Sequence, residues 1–158
     1  MNREVIITTI KELLGALDVS HDSVEVFEGE PPRFLIKTNE SGLLIGFKGA
    51  HFSAISHLIH KIVNKRLGRV EGDEKGPRFV VDVNDYHQSA VELMKNKVKI
   101  LAERARSLRA DVTMDPMSAY ERMIIHSLCQ NEANIKTESV GEGKDRRVVI
   151  KYIESQNI

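Results

Sequence analysis

Two short spacings in this chain place residues that can do chemistry on an anion. The first is Gly46-Phe47-Lys48-Gly49, preceded by Leu43-Leu44-Ile45 and followed by a helical pattern. A helix N-terminus carries unpaired amides and a partial positive charge, and phosphate settles there readily. Glycine on both sides lets the backbone approach a ligand with no Cβ in the way. Lys48 adds a mobile cation. The apolar helix behind the loop offers a wall for bases, with Ile45 and Ile55 placed to line the groove. That combination suits a single-stranded backbone held by its phosphates. A plain corner between two helices needs the same two glycines, so the spacing alone does not separate the two readings.

The second spacing is Arg122 and His126. Residues four apart share one helix face, and the apolar neighbours occupy the other, so both side chains are expected to be reachable from solvent. Arginine grips phosphate bidentately. Histidine donates to phosphate or stacks on a base. Arg146 and Arg147 lie downstream as further cations for the same backbone.

Catalysis finds less support. His57 and His60 are three apart, but no nearby Cys, Asp or Glu completes a metal set. There is no Gly-x-x-x-x-Gly-Lys-Ser/Thr loop for a nucleotide. Glu121 reads as a helix-start residue rather than a general acid, and Ser118 lacks the strained elbow of a nucleophile. The expectation is therefore a protein that is not an enzyme, with no catalytic residue, cofactor or metal.

The charge distribution supports the two anion sites better than the net charge does. The formal net charge is zero, which alone argues against a general polyanion binder. Residues 1–40 hold eight acids and four bases, whereas residues 41–70 hold five bases and no acid. Residues 95–109 hold six bases against Glu103 alone. A solvated helix face can also be rich in lysine. Cys129 is the only cysteine, which excludes an intrachain disulfide and fits a reducing cytoplasm. It reads as a small core residue. No run approaches a membrane span, and the N-terminus runs directly into helical periodicity without the pattern of a signal peptide.

The elements that must position these residues follow from periodicity. Ile6, Ile10, Leu13, Leu14 and Leu17 mark a helix over 3–17. Val24 and Val26, then Phe34 and Ile36, mark two antiparallel strands about the turn Glu28–Pro32. Ile55, Leu58, Ile59, Ile62 and Val63 mark a helix from His51 to Leu67, stopped by Gly68. A charged loop, Glu71 to Pro77, leads to a third strand at Phe79, Val81 and Val83. Asn84 and Asp85 are placed to cap a long helix whose apolar face runs from Ala90 to Leu108. Val112 and Met114 read as a short strand. The next helix starts either at Asp115-Pro116 or from a Ser118/Glu121 capping box, with Tyr120, Met123, Ile124, Ser127 and Leu128 inward. Two strands, Ile135 to Val140 and Arg147 to Tyr152, close the chain. At 158 residues this is enough chain for two small domains, with boundaries at 1–84 and 85–158.

Leu44-Ile45-Gly46-Phe47-Lys48-Gly49, in an α-β-β-α-α-β order, resembles the loop of a type II KH domain, which clamps about four nucleotides of single strand. Phe47 departs from the basic or small residue commoner at that position, and a phenylalanine there can stack on a base or sugar, or touch a partner. Asp115 to Arg122, His126, Thr137 to Gly143 and Arg146 to Ile150 resemble the Arg-x3-His (R-three-H) single-stranded nucleic-acid-binding domain, here of αβαββ order. The tandem is similar to the bacterial Jag family of RNA-binding proteins over residues 1 to about 152, without the further N-terminal domain and linker that members often carry. The resemblance implies an α+β protein of two small α/β-sandwich domains. It also implies a cytoplasmic post-transcriptional regulator connected with cell elongation or division. Its partners would be single-stranded RNA or single-stranded DNA, together with a KH-only protein or a second copy of the chain. The implied nucleic-acid-binding residues are Ile45, Gly46, Phe47, Lys48, Gly49, Ile55, Arg122, His126, Arg146 and Arg147. The alternatives are a KH-based protein–protein interaction scaffold and a ribosome-assembly factor.

Overall fold

A computed structural model describes residues 2–68 and 78–154, so the expected charged loop Glu71 to Pro77 lies outside the described residues. The chain is α+β and divides into two compact units, Met1–His87 and Gln88–Ile158.

The first unit runs α1 (Arg3–Ala16), β1 (Ser23–Phe27), β2 (Arg33–Lys37), α2 (Ser41–Ile45), a 3-10 turn (Phe47–Gly49), α3 (Ala50–Arg66) and β3 (Val80–Val83). The sheet order is β1-β2-β3, with β1 antiparallel and β3 parallel to β2. Ile6, Ile10 and Leu14 of α1, and Phe52, Ile59 and Val63 of α3, are buried with Phe34, Ile36, Val81 and Val83 of the sheet. An amphipathic helix is stabilised chiefly by burying such a stripe. Arg66 of α3 donates to the Thr9 hydroxyl at 3.1 Å and pairs with Glu12, joining the two helices. The sequence pattern predicts alternation along β2, yet Leu35 is buried as fully as its neighbours, next to the buried Asp82, its register partner on β3. Leu58, expected on the apolar face of α3, is exposed, and Phe52 takes the buried position instead.

The helix α4 (Tyr86–Leu108) begins at the end of the first unit. Asn84 and Asp85 immediately precede it. Both have left-handed backbones, with φ of 48° and 62°. Asn84 exchanges two hydrogen bonds with the backbone of Thr38, and Asp85 pairs with Arg33 and Lys37. The amide of His87 donates to Asp82, at 2.7 Å.

The second unit adds β4 (Val112–Thr113), α5 (Ala119–Cys129), β5 (Ile135–Val140) and β6 (Arg147–Tyr152). The sheet is antiparallel in the order β4-β6-β5. Its core holds Val98, Ala102 and Ala105 of α4, Met114, Ile125 and Cys129, and Ile135, Val148 and Ile150 of the sheet. Burial pushes the Cys129 thiol up to about 11, as befits a core residue. Leu108, expected inward, is exposed and lies at the end of α4. Met123 and Ser127 are exposed too, and Ile125 is buried in their place. The apolar face of α5 is therefore centred on Tyr120, Ile124, Ile125 and Cys129.

Candidate nucleic-acid interface

The Gly46–Gly49 loop owes its shape to backbone angles that a side chain resists. Gly46 has φ 68° and ψ −176°, and Gly49 has φ 78°. Lys48 between them is also left-handed, at φ 50°, a conformation unusual for a residue with a Cβ. Gly46 ends α2, its amide donating to the Gly42 carbonyl at 3.0 Å. Gly49 precedes α3 and has no side chain to receive the amides of the first turn. The turn between them carries Phe47 outward, 83% exposed. The Lys48 ammonium sits 5.6 Å from the centre of the Phe47 ring, within range of a cation–π contact.

His51 secures this turn from inside the first turn of α3. Its Nδ1 lies 2.8 Å from the Leu43 carbonyl oxygen. A carbonyl only accepts, so Nδ1 carries the proton. The two apolar residues expected to line the groove, Ile45 and Ile55, are both half-buried. Of the basic residues that follow the loop, Arg66 turns back to pair with Glu12 of α1, and Arg69 lies outside the described residues. Of the other histidines, His57 is exposed and His60 stacks on Phe79 with ring centres 3.9 Å apart.

In the second unit the capping box is the observed helix start. The Ser118 side chain accepts from the Glu121 amide and the Glu121 carboxylate from the Ser118 amide. This fixes the first turn of α5, on which Arg122 sits. Arg122 donates to the Met117 carbonyl at 2.9 Å, and the Met117 amide donates to the Arg146 carbonyl at 3.1 Å. These bonds bring the backbones beside Arg122 and Arg146 together.

His126 departs from expectation. It is half-buried rather than open, and both ring nitrogens are engaged, Nδ1 with the Thr137 hydroxyl and Nε2 with the Ser139 hydroxyl, each at 2.7 Å. The physical reason is that α5 lies on the sheet face to which β5 turns residues 135, 137 and 139. Burial, and then the neighbouring Arg122 cation, hold the ring below the ordinary histidine range. Arg147 pairs with Val140, one position beyond the Ser139–Val148 pair. By the alternation of a strand it falls on the opposite face from His126, with its Nε donating to the Asp145 carbonyl. The four residues expected to work together thus divide, with Arg122, His126 and the Arg146 backbone near one edge and Arg147 behind the sheet. Sequence reasoning does not single out His51, Thr137 or Ser139. The period-two spacing of Thr137 and Ser139 is a visible signal, but assigning it requires the crossing of α5 over β5.

Residues 92–152 match the R3H domain family. The chain is 29% identical over 143 residues to a Clostridium symbiosum protein named RNA-binding protein KhpB, covering 89% of this chain and 62% of that protein. It is 30% identical over 122 residues to the Bacillus subtilis protein of the same name, covering 76% of this chain and 56% of that protein. The similarity to the protein of that name from Streptococcus pneumoniae strain D39 is 26% over 141 residues, or 89% of this chain and 41% of that protein. The chain therefore spans about three-fifths of the length of the first of these relatives, and less of the others.

Proposed function

We propose that this chain, a KhpB (Jag-family) homologue over most of its length with an R3H domain at residues 92–152, is an RNA-binding protein that grips single strands at two places. The first unit acts as a type II KH domain. The observation that carries this reading is the Gly46–Gly49 turn, with its left-handed backbone, its side-chain-free approach to the uncapped start of α3, and Phe47 and Lys48 projecting outward. Backbone amides and Lys48 hold phosphates there, and Ile45 and Ile55 support the bases. Arg122 and Arg146 supply charge at the second place. Two weak sites on one chain gain from effective concentration, so the pair binds more tightly than either alone. The chain acts as a binding protein and not as an enzyme. The resemblance extends the reading to a cytoplasmic post-transcriptional regulator connected with cell elongation or division.

A second reading has its own observation. Leu43 of α2 and Phe47 of the turn that follows it are 59% and 83% exposed, and exposed apolar residues of this kind mark protein contacts. A KH-only protein or a second copy of the chain would then occupy the first unit. Fluorescence anisotropy with labelled single-stranded RNA and DNA tests both. The wild type should bind saturably, with a salt slope of about −0.7 per neutralised phosphate. The pairs Phe47→Asp/Lys48→Asp and Arg122→Ala/His126→Ala should each weaken binding. Absence of saturable, salt-sensitive binding by the wild type overturns the RNA reading. Undiminished binding by the loop pair assigns the first unit to protein contacts.

A further inference from the structure

Two hydroxyls are the polar partners that hold the His126 ring. On β5, Thr137 and Ser139 point to the ring while Lys136 and Glu138 alternate away, Glu138 pairing with Lys151. On β6, Val148 and Ile150 face the core, and Arg147 and Lys151 lie on the other side. The helix α4 contributes Val98, Ala102 and Ala105 there, and its Arg106 is paired with Glu132. Arg122, one turn earlier on α5, is the charged neighbour of the ring. Thr137 and Ser139 are themselves half-exposed, so each hydroxyl can face both the ring and solvent.

A neutral imidazole has one N–H and one lone pair. It donates to one hydroxyl and accepts from the other, which uses up the second hydroxyl's proton. An imidazolium donates to both, and then both hydroxyl protons are available outward. A phosphate diester oxygen only accepts, so it needs donors. We propose that the hydroxyls of Thr137 and Ser139 are phosphate-contacting donors of the second unit, that His126 is the residue that positions them, and that binding of a phosphate diester there takes up one proton from solvent at the ring. The inference rests on the RNA-binding reading and names the contact residues of its second site. The depressed proton affinity of the free ring makes that uptake a change from neutral to charged.

The test uses the full chain and a labelled single-stranded oligouridylate, with anisotropy read from pH 5.5 to 8. Thr137→Val and Ser139→Ala should each raise Kd about three- to tenfold, the effect of one lost hydrogen bond. The wild type should bind more tightly as pH falls, by about tenfold for each unit that the ligand adds to the ring's pKa. His126→Gln keeps one donor and one acceptor but cannot be protonated, so its profile should lack that gain. Ring nitrogen NMR of His126 should show its pKa rising when the oligonucleotide is added. Unchanged affinity of both hydroxyl variants overturns the inference and leaves the RNA reading standing, as does a His126 pKa that ignores ligand. Failure of the wild type to bind at any pH overturns the RNA reading itself, and this inference with it.

Discussion

The imidazole of His51 lies directly over Gly46. A Cβ built on that glycine would come within 2.5 Å of the ring's Cγ, while the ring's Nδ1 holds the Leu43 carbonyl. The glycine is therefore needed twice, for its backbone angles and for the space that the ring occupies. A residue with a Cβ at φ 68° and ψ −176° costs on the order of 1–3 kcal/mol. Gly46→Ala should lower the stability of the first unit by that amount or more, and should weaken RNA binding. The double variant with His51→Ala should recover the steric part but not the backbone part. Urea unfolding and anisotropy on the three proteins check this. Equal stability of Gly46→Ala and wild type would show that neither requirement holds.

Arg33 and Asp82 form the pair on which the end of the first sheet depends. The Asp82 side chain is fully buried and lies 3.0 Å from the Arg33 guanidinium, which also reaches Asp85 at 2.8 Å. Asp82 further receives the amides of Val83 and His87. Removing one partner of a buried pair leaves an uncompensated charge and costs about 3 kcal/mol. Arg33→Met should lose about that much in urea unfolding of the first unit. Adding Asp82→Asn should restore part of it, because the buried charge then goes too. A coupling energy near zero in this double-mutant cycle would contradict the assignment.

Stability should also fall in mild acid, before carboxylates titrate. Burial holds the rings of His60 and His87 below the ordinary histidine value, and the neighbouring His57 adds to the effect at His60. The folded state thus prefers both neutral, and the unfolded chain takes up their protons near pH 6.5. The stabilisation is complete above about pH 6.5 and is lost as pH falls through the lower folded-state values. Thermal melting between pH 7.5 and 5 should show the midpoint dropping. His60→Phe, which keeps a ring stacked on Phe79, should make the drop shallower. A midpoint that rises on acidification would reverse the sign and refute the account.

Most elements of both sheets, and the helices that pack on them, are legible in the sequence because a period near 3.6 or 2 marks them, although β2 is buried at Phe34, Leu35 and Ile36 alike. The Gly46–Gly49 loop is legible for a related reason, since glycine at both ends of a four-residue turn already signals backbone angles that other residues avoid. What escapes is non-local. Asp82 sits inside a strand pattern, and its partner Arg33 is 49 residues away. Only the parallel register of β2 and β3 brings them together. His126 reads as solvent-facing because the helix wheel shows which residues share a face, but not that β5 turns two hydroxyls toward that face. The exchange of Ile125 for Met123 in the core turns the buried face of α5 toward Ile125 and Cys129, an orientation that periodicity over 11 residues does not resolve.

Phe47 and Lys48 separate stacking from charge at the first site. The Phe47 ring is 83% exposed, so Phe47→Ala should leave folding stability within about 0.5 kcal/mol of wild type. If the ring stacks on a base, that variant should lose about 1–3 kcal/mol of binding with the salt slope unchanged, because no phosphate contact goes with it. Lys48→Ala should do the reverse, removing about 0.7 from the slope of log K against log salt while stability stays level. The 5.6 Å contact between the two side chains predicts a modest coupling in the double variant. Anisotropy titrations at several salt concentrations give both numbers for each protein. A Phe47→Ala variant that binds RNA as tightly as wild type would remove the ring from the RNA site, and would leave its exposure to be explained by a protein partner.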